Sequence, residues 1–385
     1  MIDILTQKYD RKLLIYFSIL AVLGTVMLYS ASWYESFANS NGRTDMLFLQ
    51  NHLKRLLLGI ICLFIFLILD YRHLKNVAIY MIIGSIFLLL LTKISYLAKG
   101  LGWSKPARWI YFGPFSIQTS DIARMSVIVY MAYYVDKKRE KLHDFYTGFF
   151  PAICLLTIIM ALIVIQPDFS TAAMIGTLGT VILFIGGVKI SQLSLISTSG
   201  LLIGIPILLS REYRRQRVLS WFGFADLPDV GYQAKQSLIS LGNGGIFGVG
   251  LGNSIEKNQL LPTPHTDFIF AIIGEELGFI IGSIPVITLF LLIFLRGIKI
   301  SRKCTDHFGV LLAVGISFNF ILYAFVNAAV VTGIFPVTGL PMPMVSYGGS
   351  GMVVNMALIG ILLNISQAKR SVGRNKHGWS PTLIG

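Results

Sequence analysis

The stretch Asp267-Phe-Ile-Phe-Ala-Ile-Ile-Gly-Glu-Glu-Leu-Gly-Phe-Ile-Ile-Gly-Ser-Ile-Pro-Val-Ile-Thr-Leu-Phe-Leu-Leu-Ile-Phe-Leu295 decides the fold. It is apolar apart from three acids near its start, and it is longer than the roughly 20 residues a helix needs to cross a bilayer. Nine similar runs lie outside it, near 13–31, 53–70, 76–96, 119–135, 146–166, 169–188, 191–209, 309–331 and 351–366. The expected fold is therefore all-α, a polytopic membrane protein of about ten spans in one domain over 1–385. A long loop, 210–266, separates spans seven and eight. The first run follows Lys8, Arg11 and Lys12. Its length and the closeness of the second span favour an uncleaved anchor over a signal peptide.

Composition agrees. Of 385 residues, 55% are hydrophobic and 13% charged, with mean hydropathy +0.72. Soluble domains carry about 25% charged residues. The net charge of +14 invites a nucleic-acid reading, but basic loops in a membrane protein have a topological cause, so nucleic acid is excluded as a partner. Three scattered cysteines, Cys62, Cys154 and Cys304, make neither a disulfide framework nor a metal site. The N-terminal segment 1–12, the tail 367–385 and the loops on their side hold 18 Lys and Arg. The opposite side holds 13, of which 6 lie in 210–266. Long loops cross largely regardless of charge, so both termini are expected in the cytoplasm.

The candidate chemistry then falls on the outer face. Asp267 follows His265 at the mouth of span eight. It reads either as a helix cap, a role Thr266 could share, or as a general base. Glu275 and Glu276 lie about 12–13 Å further along the helix, a depth at which acids default to function, with burial against a cation from elsewhere as the alternative. Arg211, Arg214, Arg215 and Arg217 form a cluster suited to phosphate oxygens or to unspecific headgroup contact. Asp168 stands at the corner between spans five and six. Arg108 precedes span four, where Asp121 and Arg124 are spaced to pair on one helix. The glycines from Gly242 to Gly252 lack the spacing and context of a nucleotide loop. Acid–base chemistry with anion stabilisation is the class that fits.

Several motifs, in order along the chain, carry a family resemblance. They are Tyr29-Ser-Ala-Ser32, Asp70-Tyr-Arg72, Ala107-Arg-Trp-Ile110, Gln166-Pro-Asp168, Gln236-Ser-Leu-Ile239, Pro264-His-Thr-Asp-Phe-Ile-Phe-Ala through Gly278, and Gly339-Leu-Pro-Met-Pro-Met-Val-Ser346-Tyr-Gly-Gly-Ser350. Together they resemble the SEDS family of FtsW, RodA and SpoVE proteins. Gly250-Leu-Gly-Asn-Ser254 and Gly339-Leu-Pro341 are similar to the division-type FtsW branch, and the G-T-Q element usual in the elongation-type RodA branch is absent.

The resemblance implies a peptidoglycan glycosyltransferase of the bacterial cytoplasmic membrane, placed at the division septum. It would polymerise lipid II, a disaccharide-peptide on undecaprenyl pyrophosphate, alongside a class B penicillin-binding transpeptidase and the divisome proteins. The family's essential aspartate maps onto Asp267, and its Q-P-D acid onto Asp168. Its P-S-E-x-x-K element maps onto Thr119-Ser-Asp121-Ile-Ala-Arg124, with Thr, Asp and Arg replacing Pro, Glu and Lys. Ser346 lies in the last motif. No resident metal is implied by any residue cluster; a divalent cation, Mg or Mn, is a candidate helper for the leaving pyrophosphate. A lipid II transporter and a RodA-type elongation polymerase are the alternatives.

Overall fold

The computed structural model describes residues 9–98, 108–112, 115–223, 231–258 and 260–367. Parts of the N-terminal segment, the 97–118 segment, the long loop and most of the tail lie outside them. In chain order the helices are α1 (Arg11–Asn39), α2 (Leu47–Ile68), α3 (His73–Ala98), α4 (Thr119–Lys137), α5 (Phe145–Ile165), α6 (Phe169–Ile185) and α7 (Ile190–Leu209). They continue as α8 (Glu212–Trp221), α9 (Tyr232–Gly244), α10 (Ile269–Ser301), α11 (His307–Val331) and α12 (Ser350–Gln367). Ten of these match the ten expected spans; α8 and α9 belong to the long loop. Eight are long and apolar enough to cross a membrane by themselves. The other two are α6, with 17 residues, and α4, which carries Asp121 and Arg124 and is sheltered inside the bundle.

Burial sorts the helices. In α11 and α12 the apolar windows are 67% and 72% buried, against 6% in α7. The former two form the centre, and α7 presents its side chains to lipid. A helix apolar all round is what either position requires. The all-α expectation needs one amendment. A two-stranded hairpin, β1 (Trp109–Phe112) with β2 (Phe115–Gln118), precedes α4 and pairs Trp109 with Gln118. Its aromatic and β-branched residues, Trp109, Ile110, Tyr111 and Ile117 among them, suit a pleated ribbon better than a helix.

Helix α10 is interrupted. Gly278 takes φ +76°, and a π-helical turn follows at Phe279–Ser283. The glycine-rich segment after α9 fills the break. Its Val249 and Gly250 N–H groups donate to the Glu275 and Glu276 carbonyls at 2.9 and 3.0 Å. Phe279 and Ile280 N–H donate back to Gly245 and Ile246 at 3.0 and 3.1 Å. Backbone groups at this depth need such partners. The approach tolerates no side chain: a Cβ on Gly278 would stand 2.3 Å from the Gly248 nitrogen. Gly278→Ala is expected to lower stability by at least about 1–2 kcal/mol from the left-handed backbone alone, read as a lower thermal midpoint in detergent.

Candidate active site

Asp267 is not a helix cap. The N-cap of α10 is Phe268 and has no side-chain cap bond, so the carboxylate is left for other work. It opens into a cavity of about 240 Å³ at one end of the bundle, which Arg108, Asp121, Arg124, Asp168 and Ser346 also line. Five outer-face candidates, lying 79 to 159 residues from Asp267 along the chain, thus meet it in one place.

Each is held by a local device. Asp168 caps α6, accepting from the Thr171 N–H at 3.4 Å, and its second oxygen lies 3.7 Å from Nε of Arg108. The same Arg108 donates through Nη2 to the Pro167 carbonyl. Arg124 lies 3.4 Å from Asp121, donates to Asn355 Oδ1 at 3.1 Å, and sits over the Tyr323 ring at 4.7 Å. Ser350 Oγ donates to Asp121 at 2.8 Å. The intrahelical Asp121–Arg124 pair therefore exists and still faces the cavity. Nε of both arginines is buried without a hydrogen-bond partner, and that of Arg108 faces the Asp168 carboxylate. Ser346 is a strut: its Oγ accepts the Met342 N–H at 2.8 Å and closes the loop before α12. Glycines keep the space open. A Cβ on Gly349 would strike the Trp109 ring at 2.7 Å, and one on Gly351 would approach Asp121 to 3.3 Å.

Asp267 itself is tethered by its backbone. Asn327 Nδ2 donates to the Asp267 and Leu340 carbonyls, both at 2.8 Å, and so joins two rims of the cavity. Among the described residues no donor lies within hydrogen-bond distance of the Asp267 carboxylate. Burial raises its pKa above the ordinary aspartate value. The charges of Arg217, Arg108 and His265 pull it back down, and Asp168 adds to the rise.

The remaining candidates do not line the cavity, although Arg217 and His265 lie near enough for their charges to act on Asp267. Glu275 is enclosed by Ser240 Oγ (2.8 Å), Ser254 Oγ (2.6 Å) and the Ile255 N–H (3.0 Å). Glu276 is paired with Lys257 at 2.6 Å and accepts from Ser30 Oγ. Both are buried network members and neither reaches the cavity; their alternative, burial against a partner, is what the fold adopts. The arginine cluster is dispersed by the turn of α8. Arg215 pairs with Glu212 at 2.6 Å, Arg214 lies against the Phe169 ring, and Arg217 donates to the Val337 carbonyl at 2.9 Å. Arg211 is exposed at the start of α8. None of the four lines the cavity. His265 packs between Phe48 and Tyr347 and meets Glu35 at 3.0 Å.

Sequence reasoning passed over Tyr323, Asn327 and Asn355, and met Trp109 only as part of a motif. The asparagines carried a signal, since an amide inside an apolar span is costly unless it has work. Among the described residues no three His, Cys, Asp or Glu side chains are grouped to hold a metal ion.

A family model described as "Cell cycle protein", FtsW/RodA/SpoVE, matches residues 10–371. The chain belongs to this family. A probable peptidoglycan glycosyltransferase FtsW of Geobacter metallireducens is 37% identical over 94% of the chain and 95% of its own length. Stage V sporulation protein E of Bacillus subtilis is 35% identical over 94% and 98%. Among solved structures, a chain of a peptidoglycan synthase complex superposes with TM-score 0.75 at 23% identity, covering 94% of this chain and 98% of its own. The rod shape determining protein RodA of Thermus thermophilus gives 0.65 at 22%, with the same coverage. The FtsW/RodA/SpoVE fold thus extends over nearly the whole chain.

Proposed function

We propose that this chain is a peptidoglycan glycosyltransferase that polymerises lipid II at the outer face of the cytoplasmic membrane, with both termini cytoplasmic. The observation that carries the reading is the Asp267 carboxylate, without an ion-pair or hydrogen-bond partner among the described residues, in a cavity it shares with Arg108 and Arg124. The names of its relatives support the same activity. The division-type motifs favour a septal role beside a class B penicillin-binding transpeptidase and the divisome. The elongation role is the alternative.

The acceptor lipid II presents the 4-hydroxyl of its N-acetylglucosamine. Asp267 takes the hydroxyl proton as the oxygen attacks C1 of the donor's N-acetylmuramic acid. The C1–O bond to undecaprenyl pyrophosphate breaks, and single displacement inverts the α-linked donor to a β linkage. Arg108 and Arg124, which line the same cavity, stabilise the departing pyrophosphate. A divalent cation, Mg or Mn, would enter with the substrate's phosphates, and the cavity carboxylates Asp121 and Asp168 could share it. Chelation then tests it: glycan yield that falls in EDTA and returns with Mg or Mn supports that role.

The deciding experiment uses the purified chain with its transpeptidase partner in proteoliposomes and lipid II already on the outer leaflet. Glycan strands are the expected product. A change in lipid II sidedness without glycan overturns the reading in favour of transport. The transport alternative has lost two residues from its path, because Glu275 and Glu276 are enclosed. In the same assay Asn327→Ala is expected to reduce turnover by about 10²-fold while the protein stays folded. The substitution frees the Asp267 backbone, and a misplacement near 1 Å costs on that order.

A further inference from the structure

At the end of the bundle opposite the active site, a second cavity of about 570 Å³ lies where α1, α10 and α12 meet. Arg11, Lys12, Arg296, Lys299 and Lys303 line it, with Asp10 the one acid among the described residues that do so. Asp10 is fully engaged. It caps α1 through the Leu13 N–H at 3.0 Å, takes Arg296 on both oxygens at 3.3 and 2.5 Å, and its own N–H donates to Ser366 Oγ at 3.1 Å. That acid knits the three helix ends together and neutralises Arg296. Among the described residues no carboxylate pairs with Arg11, Lys12 or Lys299, so three like charges share one bowl.

The wall above the bowl is apolar and faces lipid. Ile15, one turn beyond Arg11, is 53% exposed, and Leu295, one turn before Lys299, is 51% exposed. The same stripe of α1 continues through Ile19 and Val22 into an apolar groove of about 470 Å³. A cationic bowl at the helix ends, continuous with an apolar stripe running into the bilayer, has the shape of a phospholipid and not of a soluble anion. Basic pockets between spans on the cytoplasmic side bind anionic headgroups for this reason.

We infer that the bowl between α1, α10 and α12 is a binding site for an anionic phospholipid, phosphodiester on Arg11, Lys12 and Lys299, acyl chain along Ile15 and Ile19. Its assignment to the inner leaflet rests on the orientation proposed above. Its test reads binding and not glycan synthesis, so the two can fail separately.

The full-length protein in detergent is titrated with phosphatidylglycerol, phosphatidylethanolamine or inorganic phosphate. Bound lipid is counted by native mass spectrometry, and thermal midpoint is followed in parallel. Phosphatidylglycerol is expected to be retained and to raise the midpoint, with phosphatidylethanolamine and inorganic phosphate weaker on both measures. Arg11→Gln, Lys12→Gln and Lys299→Gln together leave the Asp10–Arg296 tie intact and should weaken phosphatidylglycerol on the order of 100-fold, about fivefold per cation. Equal retention of phosphatidylethanolamine, equal stabilisation by inorganic phosphate, or unchanged retention by the triple variant overturns the site. If the triple variant has a lower midpoint without lipid, Lys299→Gln alone decides, by whether it shows the fivefold loss.

Discussion

Asp267→Asn abolishes glycan synthesis and leaves the protein as stable as before, or more so. A sugar hydroxyl is a weak nucleophile, and a positioned base is worth about 10²–10⁴-fold in rate. Asparagine keeps the shape and removes the base. The stability half of the prediction follows from the pKa. Burial holds the folded Asp267 above its ordinary value, so its protonated form is favoured by folding. That contribution is present below the unfolded pKa, near 3.9, and is lost as pH rises through the folded pKa. At neutral pH the ionised carboxylate therefore opposes folding, and a neutral amide removes the opposition. The same shift moves the acid limb of the pH–rate profile above the ordinary carboxylate range, because only the ionised form accepts a proton. Lipid II polymerisation from pH 4 to 9, paired with thermal midpoints, checks all three statements. Wild-type rates in the Asp267→Asn protein would remove Asp267 from the mechanism.

How much of this was visible in the sequence depends on which force placed each residue. The spans were legible because lipid imposes a simple rule, a run of apolar residues long enough to cross. Convergence of Asp267, Asp168, Asp121, Arg108 and Arg124 was also legible, because each sits near the same end of a span and antiparallel threading brings those ends together. Partner choice inside the bundle was not. Glu275 and Glu276 look alike in sequence. Only the return of the 245–257 segment, through glycines that admit a backbone within contact of α10, supplies Ser254 and Lys257 to them. The arginine cluster misled for a related reason. Four cations within seven residues read as one patch, but a helix turns 100° per residue, so Arg214, Arg215 and Arg217 face a ring, an acid and a carbonyl in different directions. Asn327 could be suspected as an amide inside an apolar span, but its partners, two backbone carbonyls, leave no pattern in the chain.

The buried Lys257–Glu276 pair carries the largest expected effect on stability. Side-chain exposure is 1% for Lys257 and 0% for Glu276, and the contact is 2.6 Å. Ser30 completes it, donating to the carboxylate at 2.6–2.7 Å while Lys257 Nζ donates to the Ser30 hydroxyl at 3.1 Å. The triad ties α1, the glycine-rich segment and α10 together at the level where α10 is interrupted. Lys257→Met leaves a buried carboxylate without its countercharge, with the Ser30 hydroxyl still donating to it, which costs about 3–5 kcal/mol. Glu276→Met strands the ammonium in the same way. The double variant, Lys257→Met with Glu276→Met, removes both charges and should recover most of the loss, since a well-packed apolar pair often equals a buried ion pair in stability. Thermal unfolding of the four proteins in one detergent gives the cycle. If the double variant loses as much as the two single variants summed, the pair does not act as a unit. If it regains stability but not glycan synthesis, the triad's contribution is to hold the segment that leads into Asp267, and the charge pair serves position more than folding.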